Sequence, residues 1–222
     1  DDVSLPERLL IQKKFLDKNE DIFLIGGSAV VIDEKGNRIG IFKKFNNPEK
    51  IGKKLLKSNP IINPSVMFRN KRNIFYREKF DGADEYDLFL RLLSEGKKIT
   101  NLEDFLIKYR INRNSISFRK RFEQAFFSEK IKDFYWQRKK FGKDKYEIFN
   151  PSSLSKPEKL ADYDEIIHNT KILAGFQDNQ MFKVRKEIRF SFKRYGFNVR
   201  FFCYYILSFF PKSFVKFMRR LL

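Results

Sequence analysis

Cysteine and histidine are almost missing: Cys203 is the lone thiol and His168 the lone imidazole in 222 residues. One thiol excludes an internal disulfide framework and a cysteine-built zinc site, and it fits a reducing compartment. One imidazole leaves any bound metal to carboxylates, which favours a hard, oxygen-seeking ion such as Mg²⁺ or Mn²⁺ over zinc. Acidic residues are missing from one region. Between Ile188 and Leu222 there is no Asp or Glu, while Arg189, Lys193, Arg194, Arg200, Lys212, Lys216, Arg219 and Arg220 are all basic. Long apolar runs are lacking too: Phe201 to Phe210 is ten residues, roughly half of the ~20 that a spanning helix needs. No signal or transit segment and no initiator methionine is present, and the first residues already lead into a helix start. The chain therefore reads as beginning in mid-domain.

What is abundant is positive charge and apolar bulk. The formal net charge is +19, yet Lys, Phe, Ile and Asn are all plentiful, as an AT-rich gene would make them. The concentration of charge at the tail is therefore more telling than the sum. A hydrophobic content of 42%, with 17% aromatic residues, excludes wholesale disorder and supplies a core.

Along the chain, Ser4-Leu5-Pro6-Glu7 has the form of a capping box opening a short helix to about Asn19, with Leu9, Phe15 and Leu16 inward. Ile22 to Ile32 and Arg38 to Phe45 read as strands around a turn at Glu34 to Asn37. Pro48 to Lys57 reads as a basic helix. Apolar runs follow at Ile61 to Phe68 and Ile74 to Phe80. Gly82-Ala83-Asp84 opens a helix whose Tyr86, Phe89, Leu90 and Leu93 share one face, Gly96 ends it, and Lys98 to Ile111 is extended. The alternation predicts an α/β fold.

Beyond Asn114 the pattern is helical: Ser117 to Phe141 with Phe118, Phe122, Ala125, Phe126 and Tyr135 inward, then Lys159 to Phe176 and Asn179 to Tyr195. Trp136 is expected in the core and His168 at a surface or helix contact. The expected organisation is an α/β part over 1–116, a helical extension over 117–180 and a basic tail over 181–222. In that tail Phe214, Phe217, Met218 and Leu221 share a face opposite Lys216, Arg219 and Arg220. Such a helix suits an anionic membrane surface, with Arg200 adding charge, or it docks its phenylalanines on the core.

Two acidic clusters can carry chemistry. Asp1-Asp2 precedes the first helix, where carboxylates hold a metal or simply cap. Asp84-Glu85-Tyr86-Asp87 opens the later helix, where acids favour the N-terminus, Asp84 can cap and Asp87 can pair with Arg91. Transfer of a sugar from a nucleotide diphosphate needs an ion on the leaving group and a carboxylate for the acceptor proton.

Four segments in order resemble family 2 glycosyltransferases of the GT-A (Rossmann-like) type. Asp1-Asp2-Val3-Ser4-Leu5-Pro6-Glu7-Arg8-Leu9 with Gln12 is similar to the stretch that follows the family's Asp-x-Asp motif. Asn63-Pro64-Ser65-Val66-Met67-Phe68-Arg69 is similar to its Pro-Ser-Val-Met-x-Arg strand. Gly82-Ala83-Asp84-Glu85-Tyr86-Asp87-Leu88-Phe89-Leu90-Arg91 resembles the base-bearing stretch. Lys108-Tyr109-Arg110 with Ser115-Ile116-Ser117 resembles the signature that closes the catalytic domain.

The resemblance implies Asp1 as a metal ligand with Asp2 beside it. It also implies Ser65, Met67, Arg69, Tyr109 and Arg110 near the sugars. Gly26 and Gly27 either let backbone approach the sugar or mark a strand bulge. The family has Glu then Asp at the base position where this chain has Asp84 then Glu85, so Glu85 takes the role, Asp84 shifts into it, or the site is impaired; Glu85 is the expected base.

The family's nucleotide-binding half is absent from the sequence, which reads as the C-terminal part of the domain, inactive alone. The Gln-x-x-Arg-Trp pattern of processive synthases is also absent, which points to single-sugar addition. The expected partners are a nucleotide-sugar donor, a lipid-linked or surface-glycan acceptor and the cytoplasmic face of the inner membrane. The competing classes are a non-catalytic remnant that binds membrane or partner enzymes, and a basic nucleic-acid binder. No recognition motif supports the last, so nucleic acid is not an expected partner.

Overall fold

The structure is a computed structural model that describes residues 1–70, 74–112, 120–153, 163–177, 180–211 and 214. Strand β1 is Val3–Ser4, β2 Ile22–Ile32, β3 Arg38–Phe42, β4 Met67–Phe68 and β5 Lys98–Arg110. The helices are α1 Arg8–Lys18, α2 Pro48–Leu55, α3 Asp84–Ser94, α4 Arg121–Phe141, α5 Tyr163–Gln177, α6 Met181–Tyr195 and α7 Val199–Leu207. The sheet runs β1-β5-β2-β3, with β4 on β2. β1 is antiparallel to β5, Val3 facing Lys108, and β4 is antiparallel to β2, Met67 facing Ile25. The fold is α/β, as its alternating patterns predict.

The chain forms two compact units, Asp1–Ala29 with Lys43–Lys108 and Asn112–Glu158, and Val30–Phe42 with Tyr109–Ile111 and Lys159–Leu222. In the first, the core gathers Phe23 and Leu24 of β2, Ile51 and Leu55 of α2, Phe89 and Leu90 of α3, and Ile131 and Phe134 of α4. Phe80 sits at its centre, with the rings of Phe127, Phe134 and Phe149 all within 5.8 Å. Rings at such distances add to area burial through edge-on and tilted contacts. In the second unit α5 lies against α6 and β3. Ile172, Phe176, Val184, Ile188, Phe201 and Leu207 form its core.

Several local expectations are corrected. Ser4 does not cap α1, because it is held in β1 opposite Ile107; Glu7 occupies the cap position without a side-chain bond. Leu9 is 64% exposed, and α1 buries Gln12 with Leu16 instead. Residues Ile74–Arg77 form no strand, and Glu78–Phe80 is a 3-10 turn. Ala83, not Asp84, is the cap residue of α3, again without a side-chain bond. On α4 the buried face carries Phe127, Ile131, Phe134 and Tyr135, while Trp136 is 58% exposed. Tyr135 is thus buried as expected, whereas Trp136 stands across the helix axis from the 127–131–134 stripe; Phe118 and the side chains of Phe122 and Ala125 lie outside the described residues. His168 meets a helix as expected, stacked on Phe190 at 4.3 Å and bonded to Glu187. Phe217, Met218, Arg219 and Arg220, with Ser115-Ile116-Ser117, lie outside the described residues.

Candidate active site

The first turn of α3 carries the acidic pair. Gly82 has φ +89°, a conformation that side chains resist, and this turn delivers the chain from the buried Phe80 into the helix. Lys120 pairs with Asp81 and the Gln124 amide donates to the Gly82 carbonyl, so α4 holds the same turn from the other side. Asp84 and Glu85 are half-buried. Burial first, then the neighbouring Asp84 charge and a hydrogen bond with its carboxyl, push Glu85 up to about 7. Two adjacent carboxyls cannot both ionise freely in a poorly solvated place. The helix N-terminus pulls the other way, and burial prevails. The Tyr76 hydroxyl, which sequence reading did not single out, is pushed up by burial and by the charges of Asp84 and Glu85, marking it as a neighbour of the pair.

Directly behind this turn lies a buried charge network. The Arg91 Nε donates to Asp87 Oδ2 at 2.9 Å, the expected i to i+4 pair. Arg77 adds an ion pair with Asp87 at 3.6 Å and one with Asp144 at 2.9 Å. Arg138 of α4 also pairs with Asp144 and bonds Ser94 Oγ at 2.9 Å. Burial pushes the Asp87 carboxyl up against the pull of these guanidiniums. Burial raises Asp144 too, but hydrogen bonds from Arg138 and Arg77 outweigh it and hold that carboxyl low. The network ties α3, α4 and the 144–146 loop together, so the turn that carries Asp84 and Glu85 has a stiff support. Arg77, Arg138 and Asp144 are separated by up to 67 residues, a distance at which sequence patterns carry no signal.

A second group is built around β2 and β4. Ser65 Oγ donates to the Ile62 carbonyl at 2.7 Å and accepts from the Gly27 amide at 2.9 Å. Gln12 Nε2 donates to the Ser65 carbonyl at 2.8 Å, and Arg8 reaches both Gln12 and the Val66 carbonyl. The Pro-Ser-Val-Met segment is thus bolted to α1. Arg69 donates to the carbonyls of Ile22, Leu16 and Asn19, closing the C-terminal end of α1. Met67 is half-buried in β4 opposite Ile25.

Gly26 and Gly27 are buried within β2. A Cβ at Gly26 would stand 2.6 Å from Asn101 Oδ1, and one at Gly27 would stand 2.3 Å from Leu106 Cδ1. The chain's own side chains fill those places, so close packing already accounts for both glycines. Asn101 itself is fully buried, and neither of its amide atoms has a hydrogen-bond partner.

Asp1 and Asp2 precede β1, whose pairing sets them beside the end of β5. Asp1 is exposed, and the Asn112 amide donates to its Oδ2. No group of three or more His, Cys, Asp or Glu suited to a metal occurs among the described residues. Asp1 and Asp2 supply two adjacent carboxylates, a part of the oxygen set that a hard ion takes. In the second unit Arg110 donates to the carbonyls of Asp33 and Glu34 at 3.0 Å, bracing the β2–β3 turn, and Tyr109 packs on Phe42 with ring centres 6.1 Å apart. Asp1 and Glu85 therefore belong to one unit, Tyr109 and Arg110 to the other.

No protein-family model matches the chain. No solved structure matches it either. Among curated proteins it is similar to an uncharacterized glycosyltransferase of Methanocaldococcus jannaschii, 35% identical over 148 residues, covering 63% of this chain and 49% of the relative. It is also similar to the amylovoran biosynthesis glycosyltransferase AmsE of Erwinia amylovora, 29% identical, covering 54% of this chain and 46% of that protein. An uncharacterized glycosyltransferase of Haemophilus influenzae is 24% identical, covering 56% and 47% respectively. The chain spans about half the length of the curated relatives it matches, and all three of those relatives are named as glycosyltransferases.

Proposed function

We propose that the chain carries the base-bearing and acceptor-side part of an inverting glycosyltransferase. That enzyme would move a single sugar from a nucleotide-diphosphate donor to a lipid-linked or cell-surface glycan acceptor at the cytoplasmic face of the inner membrane. The observation that carries this reading is Glu85, a half-buried carboxyl held near neutrality in the first turn of α3, in a chain similar to proteins named as glycosyltransferases. A base whose pKa lies near the working pH is best matched to taking and releasing a proton.

In the proposed step the acceptor hydroxyl oxygen bonds to the anomeric carbon on the face opposite the diphosphate. The bond from that carbon to the diphosphate oxygen breaks, and the diphosphate departs with the electron pair. The acceptor proton passes to a carboxylate oxygen of Glu85. Attack opposite the leaving group inverts the configuration.

Asp84 raises the basicity of Glu85 through its charge. Asp1, with Asp2, would hold Mg²⁺ or Mn²⁺, and such an ion neutralises charge on a departing diphosphate. Ser65, Met67 and Arg69 would act by fixing the wall formed by β2 and β4, with Gly26 and Gly27 allowing its close packing. Tyr109 and Arg110 would close the domain.

The test is turnover of nucleotide sugars by the full-length protein with Mn²⁺. Glu85→Gln should lower kcat by about 10²–10⁴-fold, the usual contribution of a general base. Asp1→Asn should raise the Mn²⁺ concentration needed for half-maximal rate. If Asp84→Asn abolishes turnover while Glu85→Gln does not, the base is misassigned. If no nucleotide sugar is turned over at all, the reading fails as a whole.

A further inference from the structure

Helix α7 has two apolar faces, and only one of them is used. Phe201 and Leu207 turn inward to the core of the second unit, with Tyr204 stacked on Phe176 at 4.5 Å. The opposite side carries Val199, Phe202 and Ile206, exposed by 69%, 43% and 44%. Steps of three and four place these residues in one stripe along a helix. The stripe is prolonged by Phe197 before the helix and by Phe209 and Phe210 after it, all exposed. Phe197 lies 5.5 Å from Phe202 and Phe210 lies 4.9 Å from Phe214, while Phe197 and Phe209 are braced from behind by Phe192 at 5.3 Å and Tyr205 at 5.2 Å, which pack on the core. A contiguous exposed strip of this kind costs solvation unless something covers it.

The charged side chains of this stretch of sequence are of one sign. Lys193 and Arg194 are exposed in the last turn of α6 and Arg200 in α7, and the Arg185 guanidinium stands 4.7 Å over the Phe209 ring. From Ile188 to Leu222 the sequence has no acid to oppose them. No helix among the described residues is long and apolar enough to cross a membrane. The partner must therefore accept an apolar strip laid flat and offer negative charge to the basic side chains that accompany it. A lipid bilayer with anionic headgroups does both, because its acyl boundary takes the aromatic rings while its phosphates face the Lys and Arg side chains.

We propose that the outward face of α7, continued through Phe209 and Phe210, is the surface by which this chain docks on an anionic bilayer. This rests on the membrane location in the sugar-transfer reading and gives it a surface; its test reads lipid binding and not turnover, so the two can fail separately. The surface is set earlier in the tail than the Phe214 to Leu221 pattern suggests, on a helix whose other side is anchored in the core.

Cys203 lies in the same outward stripe, is exposed, and is the chain's single thiol, so an environment-sensitive fluorophore attached there reports directly on the face. With vesicles of phosphatidylglycerol and phosphatidylcholine in equal parts, the label should shift to the blue and the chain should sediment with the lipid. With phosphatidylcholine alone, binding should be much weaker. Phe202→Ala with Ile206→Ala should cut binding to the anionic vesicles by about tenfold or more, from the apolar area removed. The far-ultraviolet spectrum should stay unchanged, because neither side chain is in the core.

Three results would overturn the proposal. One is an unshifted label on bound protein. Another is binding lost in Lys193→Gln with Arg194→Gln but retained in the apolar double variant, which means attraction by charge alone. The last is a lipid-free dimer that the apolar double variant dissolves and vesicles do not compete away, which assigns the face to a second copy.

Discussion

At the scale of single residues, the decisive group is Glu85. Its carboxyl is raised to about 7 by burial, with Asp84 adding to the shift. A carboxyl whose folded pKa lies above its unfolded value binds more protons when folded. Between pH 4.5 and about 7 it therefore takes stability away as pH rises, the reverse of a salt-bridged acid. Glu85→Gln removes that penalty, worth about 1–2 kcal/mol once partial solvent screening is allowed for. Loss of the favourable charge at the helix N-terminus offsets only about 0.3–1 kcal/mol. The variant should thus melt higher than the unaltered chain at pH 8 and show no such advantage at pH 4. Equal melting temperatures at pH 8 would mean that Glu85 is solvated and ordinary. On the proposed role of Glu85 as base, turnover should fall as pH drops below about 7.

At the scale of elements, the site rests on close approach of strands and on a buried ion network. Gly27 in β2 admits the Leu106 side chain of β5, which would meet a Cβ at 2.3 Å. Leu106 is fully buried and has little room to retreat. Gly27→Ala should therefore destabilise by about 1–3 kcal/mol, the usual cost of overpacking, as read from a shift in urea midpoint. A variant of unchanged stability would show that β5 yields easily.

The helix α3 was legible from its sequence because Tyr86, Phe89 and Leu90 recur at helical spacing, and all three are buried. The pair Asp87–Arg91 was legible for the same reason. Arg77, Arg138 and Asp144 were not, since they come together from three separate places in the chain. Nor was the exposure of Trp136, since a helix rich in aromatic residues on several sides does not declare which of them faces the core.

At the scale of the whole molecule, charge is the dominant feature. A net charge of +19 on 222 residues repels itself when the chain is compact, and salt relieves that repulsion. The melting temperature should rise when salt is increased from low to physiological ionic strength. A fall, or no change, would mean that ion pairs such as Arg77–Asp144 and Lys98–Asp21 outweigh the repulsion.

Composition and local pattern by themselves determined the α/β class, the places of β2, α2, α3 and β5, the acidic turn that opens α3, and the acid-free tail. These depend on spacing within a few residues, on turn formers and on charge, all of which are local. Tertiary structure alone decided that Val30–Phe42 groups with the C-terminal helices, that Ser4 pairs as a strand when it could have capped a helix, that Gly26 and Gly27 make room for Asn101 and Leu106, and that one side of α7 stays uncovered. Each of those outcomes is a competition between distant partners for one surface or one hydrogen bond, and such a competition is settled only when the chain is folded.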